Sequence, residues 1–393
     1  MSKNLYMEKI GKNAKLAAGF STKLTIKKRN AVLKLYSKYL KVYESLILKA
    51  NQKDLSKAKR NRGAMISRLK LNSKKISLIK QSLNEIIKLK DPLDKILSSW
   101  KRPNGLVIKK RTEPIGVIGV IYESRPNVTC DVSALCFKSG NTVILRGGSE
   151  AYYSNKILSN LFRKALKNKK CDQNCVQFIE NKNRRNVDYL LSRMQKYVDI
   201  IIPRGGKSLV KKVKTKSKIP TIGHLEGICH IYVHKKADLD MSIKIAKNAK
   251  MRNFNICGAA ETLLIDKKCM GTHCIPVLSV LSKSGCEIVA DLKIKSKFSK
   301  KIKTANEKDW NTEYLSPKIS VKCVDGLQDA IYHINKYGTA HTDTIITKDK
   351  KAAKNFLKNV NSAIVIHNAS TQFADGGEFG FGAEVGIDRK SVV

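Results

Sequence analysis

Acidic residues, prolines and tryptophans are scarce in this 393-residue chain: 32 Asp and Glu face 77 Lys and Arg, and there are 8 Pro and 2 Trp. The formal charge of +45 is compatible with nucleic-acid binding, in which clustered cations displace counterions from phosphates. The cations are instead spread along helical stretches such as "TKLTIKKRNAVLKLYSKYLK". There is no zinc-finger spacing, no basic-zipper heptad and no aromatic RNA-binding signature, so nucleic acid is not expected as a partner. No run reaches the roughly 20 apolar residues of a membrane span. The start, "MSKNLYMEKIGKNAKLAAGF", lacks the apolar centre of a secretory leader. The ten cysteines, at 130, 136, 171, 175, 229, 257, 269, 274, 286 and 323, contain no CxxC pair. A disulfide framework belongs to small secreted domains, so a reducing cytoplasm is the expected compartment. Structural zinc needs four convergent ligands. Cys171 and Cys175 have no nearby histidine, and His224, His230 and His234 flank an apparent strand. They read as surface or satisfied residues, and no metal is expected.

The length exceeds what one hydrophobic core supports, so two or three domains are expected. The first hundred residues read as helices. Val32, Leu35, Tyr36, Tyr39, Leu40, Tyr43, Leu46 and Ile47 recur at helical spacing, as do Ile76, Ile79, Leu83, Ile86 and Ile87, before Asp91-Pro92 ends the second run. From residue 106 the texture changes. Short β-branched runs ("IGVIGVIY", "NTVILR", "VDIIIPR", "HIYVH", "ETLLI", "ISVKCV", "DTIIT", "SAIVIH") alternate with helix-length segments. That alternation predicts an α/β fold of parallel sheets covered by helices.

One pattern occurs twice. "TVILRGGSEAYYSNKIL" and "VDIIIPRGGKSLVKKV" each read as strand, Arg-Gly-Gly, helix. Glycines there let backbone approach a ligand, the helix amino end attracts anions, and Arg146 and Arg204 add positive charge. Neither turn matches the full G-x-G-x-x-G fingerprint, so two ordinary tight turns remain the alternative.

In "NAKMRNFNICGAAETLLI" a cysteine, Cys257, precedes Gly258-Ala259-Ala260 and the strand "ETLLI". Small neighbours and a loop-to-strand position give access to a thiol that acts as thiolate. A buried packing cysteine is the competing reading.

The stretches "EPIGVIGVIYESRPNVTCDVSALCFKSGNTVILRGGSEA", "IIPRGG", "GICHIYV", "NAK…CGAAETLL" and "NASTQFADGGEFGFGAEVG" together resemble the gamma-glutamyl phosphate reductases (glutamate-5-semialdehyde dehydrogenases) of the aldehyde dehydrogenase superfamily. The resemblance implies an aldehyde dehydrogenase-like α/β fold: a Rossmann-like cofactor domain, an α/β catalytic domain and a small oligomerisation element. The expected boundaries are 1–222 for the N-terminal helices and NADP-binding domain and 223–362 for the catalytic domain. A segment 363–393 is expected to return to the first domain and to be shortened relative to the family, which continues beyond "GAEVGI".

The resemblance further implies NADPH-dependent reduction of L-glutamate 5-phosphate to the 5-semialdehyde and phosphate, the second step of proline synthesis from glutamate. A homo-oligomer and a functional link to glutamate 5-kinase are expected with it. Cys257 takes the nucleophile position and Asn127 that of the oxyanion-steadying asparagine, with a turn or cap role as the alternative. Arg146, Gly147, Gly148, Ser149, Arg204, Gly205 and Gly206 fall at the nucleotide-contacting turns. Glu313 falls at the ribose glutamate, or is an exposed helix-end residue. Arg125 faces substrate phosphate or carboxylate, or forms a structural ion pair. Glu226, near the water-activating glutamate of hydrolytic relatives, is expected to have no catalytic role, and the Phe379-Gly380-Phe381-Gly382 loop to shape the pocket. Two rival readings stay open: a hydrolytic NAD(P)-dependent aldehyde dehydrogenase, and a catalytically lapsed basic binding protein.

Overall fold

A computed structural model describes residues 4–58, 66, 68–380, 387–388 and 391–392. The chain forms two compact units, Met1–Gly223 and His224–Val393.

The first unit begins with helices Leu5–Ser21, Ile26–Val42, Glu44–Lys57 and Ser73–Lys88. The side chains of Asn4, Thr25 and Asn72 accept backbone N–H groups at three of the amino ends, satisfying donors that have no partner within the helix. The periodic run from Val32 to Ile47 is two helices, because the backbone turns at Tyr43 (φ −102°, ψ 20°). Arg29, 2% exposed, fixes the helix Ile26–Val42 through both Asp91 oxygens (2.9 and 2.7 Å) and the Lys138 carbonyl (2.9 Å).

Strands β1 (Ile96–Lys101) and β2 (Val107–Arg111) form an antiparallel hairpin. Strands β3 (Val117–Tyr122), β4 (Thr142–Gly147), β5 (Val176–Phe178) and β6 (Ile200–Arg204) form a parallel sheet in the order β5-β4-β3-β6. Every residue of β3 and β4 is buried, hence the apolar runs Val117–Tyr122 and Val143-Ile144-Leu145 within them. Met7, Ile10, Ala14 and Ala18 of the first helix belong to the same core as Val117, Ile121, Ile144 and Ile201.

The second unit is built on seven parallel strands: β7 (Cys229–Val233), β8 (Ala260–Asp266), β9 (Glu287–Ala290), β10 (Lys303–Thr304), β11 (Lys318–Val324), β12 (Thr342–Ile346) and β13 (Ile364–His367). Their order is β10-β9-β11-β8-β7-β12-β13. Ile245, Ala246 and Ala249 of helix Leu239–Met251 and Val277, Leu278 and Leu281 of helix Met270–Lys283 pack with Ile231, Leu263 and Val321. Helices Gly326–Tyr337 and Lys350–Asn359 contribute Ile331, Ile334 and Phe356 to a second cluster with Tyr232, Leu264 and Ile345. Strand side chains alternate between faces, so Ile231 and Tyr232 serve opposite layers.

Ile364–His367, which sequence assigned to a returning segment 363–393, pairs in parallel with β12 through Thr342↔Ile364 and Thr344↔Ile366 and so belongs to the second sheet. Beyond it lie a 3-10 turn, Thr371–Phe373, and a small antiparallel pair, β14 (Ile387–Asp388) and β15 (Ser391–Val392). Phe379 and Gly380 are exposed, while Phe381 and Gly382 of the expected pocket loop lie outside the described residues.

Candidate active site

Neighbouring strands in a sheet lie about 4.8 Å apart, so residues just before three adjacent strands are brought together. β8, β7 and β12 are such neighbours. Cys257 precedes β8, His224 and Gly227 precede β7, and His341 immediately precedes β12.

The Cys257 turn is closed by the Ala259 N–H donating to the Ile256 carbonyl (3.0 Å). The Thr371 hydroxyl donates to the Gly258 carbonyl (2.7 Å), and the Cys229 thiol to the Cys257 carbonyl (3.1 Å). Gly227 is required by this approach: a Cβ there would lie 2.2 Å from the Cys257 carbonyl oxygen and 2.7 Å from its Cβ. The Gly227 N–H donates to Glu313 Oε1 (2.9 Å), which brings Glu313 to the same turn although 86 residues separate them in sequence.

Nine of the ten cysteines are buried and Cys257 is half-buried. Burial pushes the thiols of Cys136, Cys175, Cys269 and Cys286 up to about 12 and that of Cys274 to about 11. Those sulfurs are protonated packing atoms at neutral pH.

The donor atoms of His224, Cys257 and His341 all lie within 4.8 Å of one another. The two imidazoles meet edge to face with centroids 4.7 Å apart. His341 is 1% exposed; its Nδ1 lies 2.9 Å from the Thr342 hydroxyl and 3.6 Å from the Cys229 sulfur. Its Nε2 is buried without a hydrogen-bond partner among the described residues. Burial, and secondarily the nearby His224, lower the His341 pKa to about 3, so the ring is neutral. His230 and His234 engage their Nδ1 atoms inside the sheet, with Asp343 (2.9 Å) and the Thr347 hydroxyl (2.7 Å), and His230 Nε2 is buried without a hydrogen-bond partner among the described residues. His224 belongs with Cys257 and His341 rather than with them. The sequence reading missed this grouping, whose available signal was that each of the three residues falls just before a predicted strand.

In the first unit the strand order reverses between β3 and β6, and ligands of open α/β sheets bind outside the carboxyl ends of strands at such a point. After β3, Ser124 has a φ of 27°; its N–H and hydroxyl both donate to Glu150 Oε1 (2.9 and 2.7 Å). Arg125 is exposed at the N-cap position of helix Pro126–Lys138. Asn127, the second helical residue, donates from Nδ2 to Asp131 Oδ2 (3.1 Å).

After β6, Gly205 and Gly206 are exposed at the start of helix Lys207–Lys216. Glu123 Oε2 accepts the Gly206 N–H (2.8 Å). The turn after β4 differs. Arg146 is buried and donates to the Gly147 carbonyl and to the Lys182 carbonyl (3.2 Å). A Cβ at Gly147 would lie 2.2 Å from Asn155 Nδ2, so protein packing alone requires that glycine. Gly148 is half-buried and Ser149 exposed. Glu226 is half-buried on the approach to β7.

Two α/β units, each built on a parallel sheet and one carrying a single accessible thiol at the amino ends of its central strands, define an aldehyde dehydrogenase-type protein. The profile of the aldehyde dehydrogenase family matches residues 3–276. The chain is 44% identical over 383 residues to the gamma-glutamyl phosphate reductase of Brucella suis, covering 97% of this chain and 91% of that protein. It is 45% identical to the protein of the same description from Mesorhizobium japonicum, covering 97% and 89%. The crystal structure of gamma-glutamyl phosphate reductase from Thermotoga maritima superposes with a TM-score of 0.94 at 37% identity, covering 98% of this chain and 92% of that one. The chain therefore belongs to the gamma-glutamyl phosphate reductase branch of the aldehyde dehydrogenase family.

Proposed function

We propose that this protein reduces L-glutamate 5-phosphate to L-glutamate 5-semialdehyde and phosphate with NADPH, in proline synthesis, through a thioester on Cys257. The observation that carries the mechanism is that Cys257 alone among ten cysteines is only half-buried, in a turn held open by Gly227. Its thiolate forms a bond to the acyl carbon as the carbon–oxygen bond to phosphate breaks and phosphate leaves with that electron pair. NADPH, when bound, supplies the hydride that reduces the thioester carbon. Collapse of the resulting thiohemiacetal forms the aldehyde, and the carbon–sulfur electron pair returns to Cys257.

Asn127 is assigned to the developing oxyanion, where loss of one such donor costs about 10²–10³ in turnover. Arg125, exposed at a helix amino end, is assigned to an anionic substrate group. The turn after β6 is assigned to a nucleotide phosphate: two exposed glycines, Arg204 and Lys207 stand at a helix amino end, where the phosphate would take the Gly206 N–H that the Glu123 carboxylate accepts at 2.8 Å. Arg146, Gly147, Gly148 and Ser149 are assigned to shaping the nucleotide turn after β4, and Glu313 to the ribose. Glu226 takes no part, because hydrolysis would consume the thioester without yielding aldehyde.

The β1–β2 hairpin is the proposed oligomerisation element. It exposes Ile96, Leu97 and Trp100 at 56%, 58% and 45%, and a lone two-stranded hairpin is marginally stable in water. The substrate's acyl phosphate calls for a kinase acting on the glutamate side-chain carboxylate, glutamate 5-kinase, as the supplying partner. No helix among the described residues is long and apolar enough to cross a membrane, and the assigned compartment is the cytoplasm.

The test is Cys257→Ala in the reverse direction. Phosphate-dependent reduction of NADP⁺ by the semialdehyde should vanish while NADP⁺ binding, followed by fluorescence quenching, is retained. Turnover by the variant would refute the assignment.

A further inference from the structure

His224, Cys257 and His341 are the group among the described residues in which three histidine, cysteine or acidic donors converge, all within 4.8 Å of one another. A buried unpartnered nitrogen costs free energy unless something occupies it. With Nδ1 engaged by the Thr342 hydroxyl at 2.9 Å, the His341 ring leaves Nε2 with no partner. A proton on Nδ1 gives Nε2 a lone pair. One sulfur and two imidazole nitrogens form the donor set that selects borderline-soft divalent cations over magnesium or calcium. Three protein ligands leave the fourth tetrahedral position to water. Zinc–sulfur and zinc–nitrogen bonds of about 2.3 and 2.0–2.1 Å need the donors to draw in by roughly 1 Å.

We infer that His224, Cys257 and His341 form a binding site for zinc-class divalent cations, and that occupation of this site holds the Cys257 sulfur as a metal-bound thiolate and blocks its reactivity. Binding releases the thiol proton to solvent and forms a metal–sulfur bond, with no change of oxidation state. The consequence for catalysis, reversible inhibition relieved by chelation, rests on the reading of Cys257 as the acyl carrier; the site itself does not.

The full chain, freed of metal, is titrated with Co²⁺ as a spectroscopic probe. The expected result is one equivalent bound, with tetrahedral visible bands and thiolate-to-cobalt charge transfer. The charge transfer should be lost in Cys257→Ser, and affinity should fall by about a hundredfold or more in His341→Asn, at least the loss that removal of a supporting outer-shell group produces. A second measurement needs no variant. Free zinc at about ten times its dissociation constant leaves roughly one site in eleven vacant by mass action, so alkylation of Cys257 by iodoacetamide, followed on its peptide by mass spectrometry, should slow about elevenfold. Magnesium should leave it unchanged. No charge transfer in the wild type, or equal alkylation with and without zinc, would overturn the site. Protection of the thiol by zinc while turnover continues would instead overturn Cys257 as the acyl carrier and leave the site standing.

Discussion

Replacing Gly227 by alanine adds one carbon next to the reacting cysteine without touching it chemically. That carbon would stand 2.2 Å from the Cys257 carbonyl oxygen, 2.7 Å from its Cβ and 2.8 Å from its carbonyl carbon, whereas ordinary contact begins at 3.4 Å. The difference, 3.4 minus 2.2, requires a displacement of about 1.2 Å. It cannot be absorbed by a flexible chain end, because two of the three contacts are backbone atoms and the third is a Cβ fixed to the backbone. The turn is anchored by Thr371 on Gly258 and by the Ala259 N–H on Ile256, so either it or the entry to β7 must move.

Overpacking of this kind costs typically about 1–3 kcal/mol of stability, within what a folded domain tolerates. The loss in rate is larger, since a misplacement of about 1 Å costs roughly 10²-fold. Phosphate-dependent NADP⁺ reduction by Gly227→Ala should therefore fall about a hundredfold, with a cooperative urea transition retained. Gly19→Ala is the control: no atom lies within 4 Å of its added carbon, and turnover should be unchanged. Turnover of Gly227→Ala within about threefold of wild type would refute the claim that Gly227 sets the position of Cys257.

Burial holds His341 and His333 neutral, lowering their pKa values from 6.5 to about 3 and about 2. The unfolded chain then binds more protons below pH 6.5, so stability is fully present above that pH and falls as pH drops toward 3, by up to about 1.36 kcal/mol per pH unit for each ring. Urea unfolding between pH 7.5 and 5 should show this slope, reduced in His333→Phe; a flat profile would contradict it. Lys250 and Glu261 form a fully buried ion pair at 2.6 Å, and Lys250→Met should cost about 3–5 kcal/mol by leaving the carboxylate unpaired. An unchanged urea midpoint would exclude that role. Leu97→Lys with Trp100→Lys in the hairpin should lower the mass measured by light scattering, and a wild type already monomeric at the same concentration would remove the oligomerisation assignment.

Eight of the strands were legible from their runs of Val, Ile and Leu, because strands buried on both faces leave a nearly unbroken apolar signature. The three-residue β5 and the two-residue β10 offered too short a run. β1 and β2 escaped because they are exposed hairpin strands, and "VIKKR" lacks the apolar density of a buried strand. Cys257 was visible as a candidate through its small neighbours. Its surroundings were not, since His341 lies 84 residues and Glu313 56 residues further along. Sheet order places them near Cys257, and no local spacing records it. The two Arg-Gly-Gly turns looked equivalent in sequence. They differ because Arg146 is buried against backbone carbonyls while Arg204 is half-buried beside an exposed helix start.

The central claim is tested most directly by supplying the semialdehyde and NADP⁺ without phosphate, so that the acyl group formed on the protein has no acceptor. Acid quenching and peptide mass spectrometry should then find a glutamyl adduct on Cys257, removed when phosphate is added. NADPH formation with Cys257 unmodified, or steady release of glutamate without phosphate, would contradict the account.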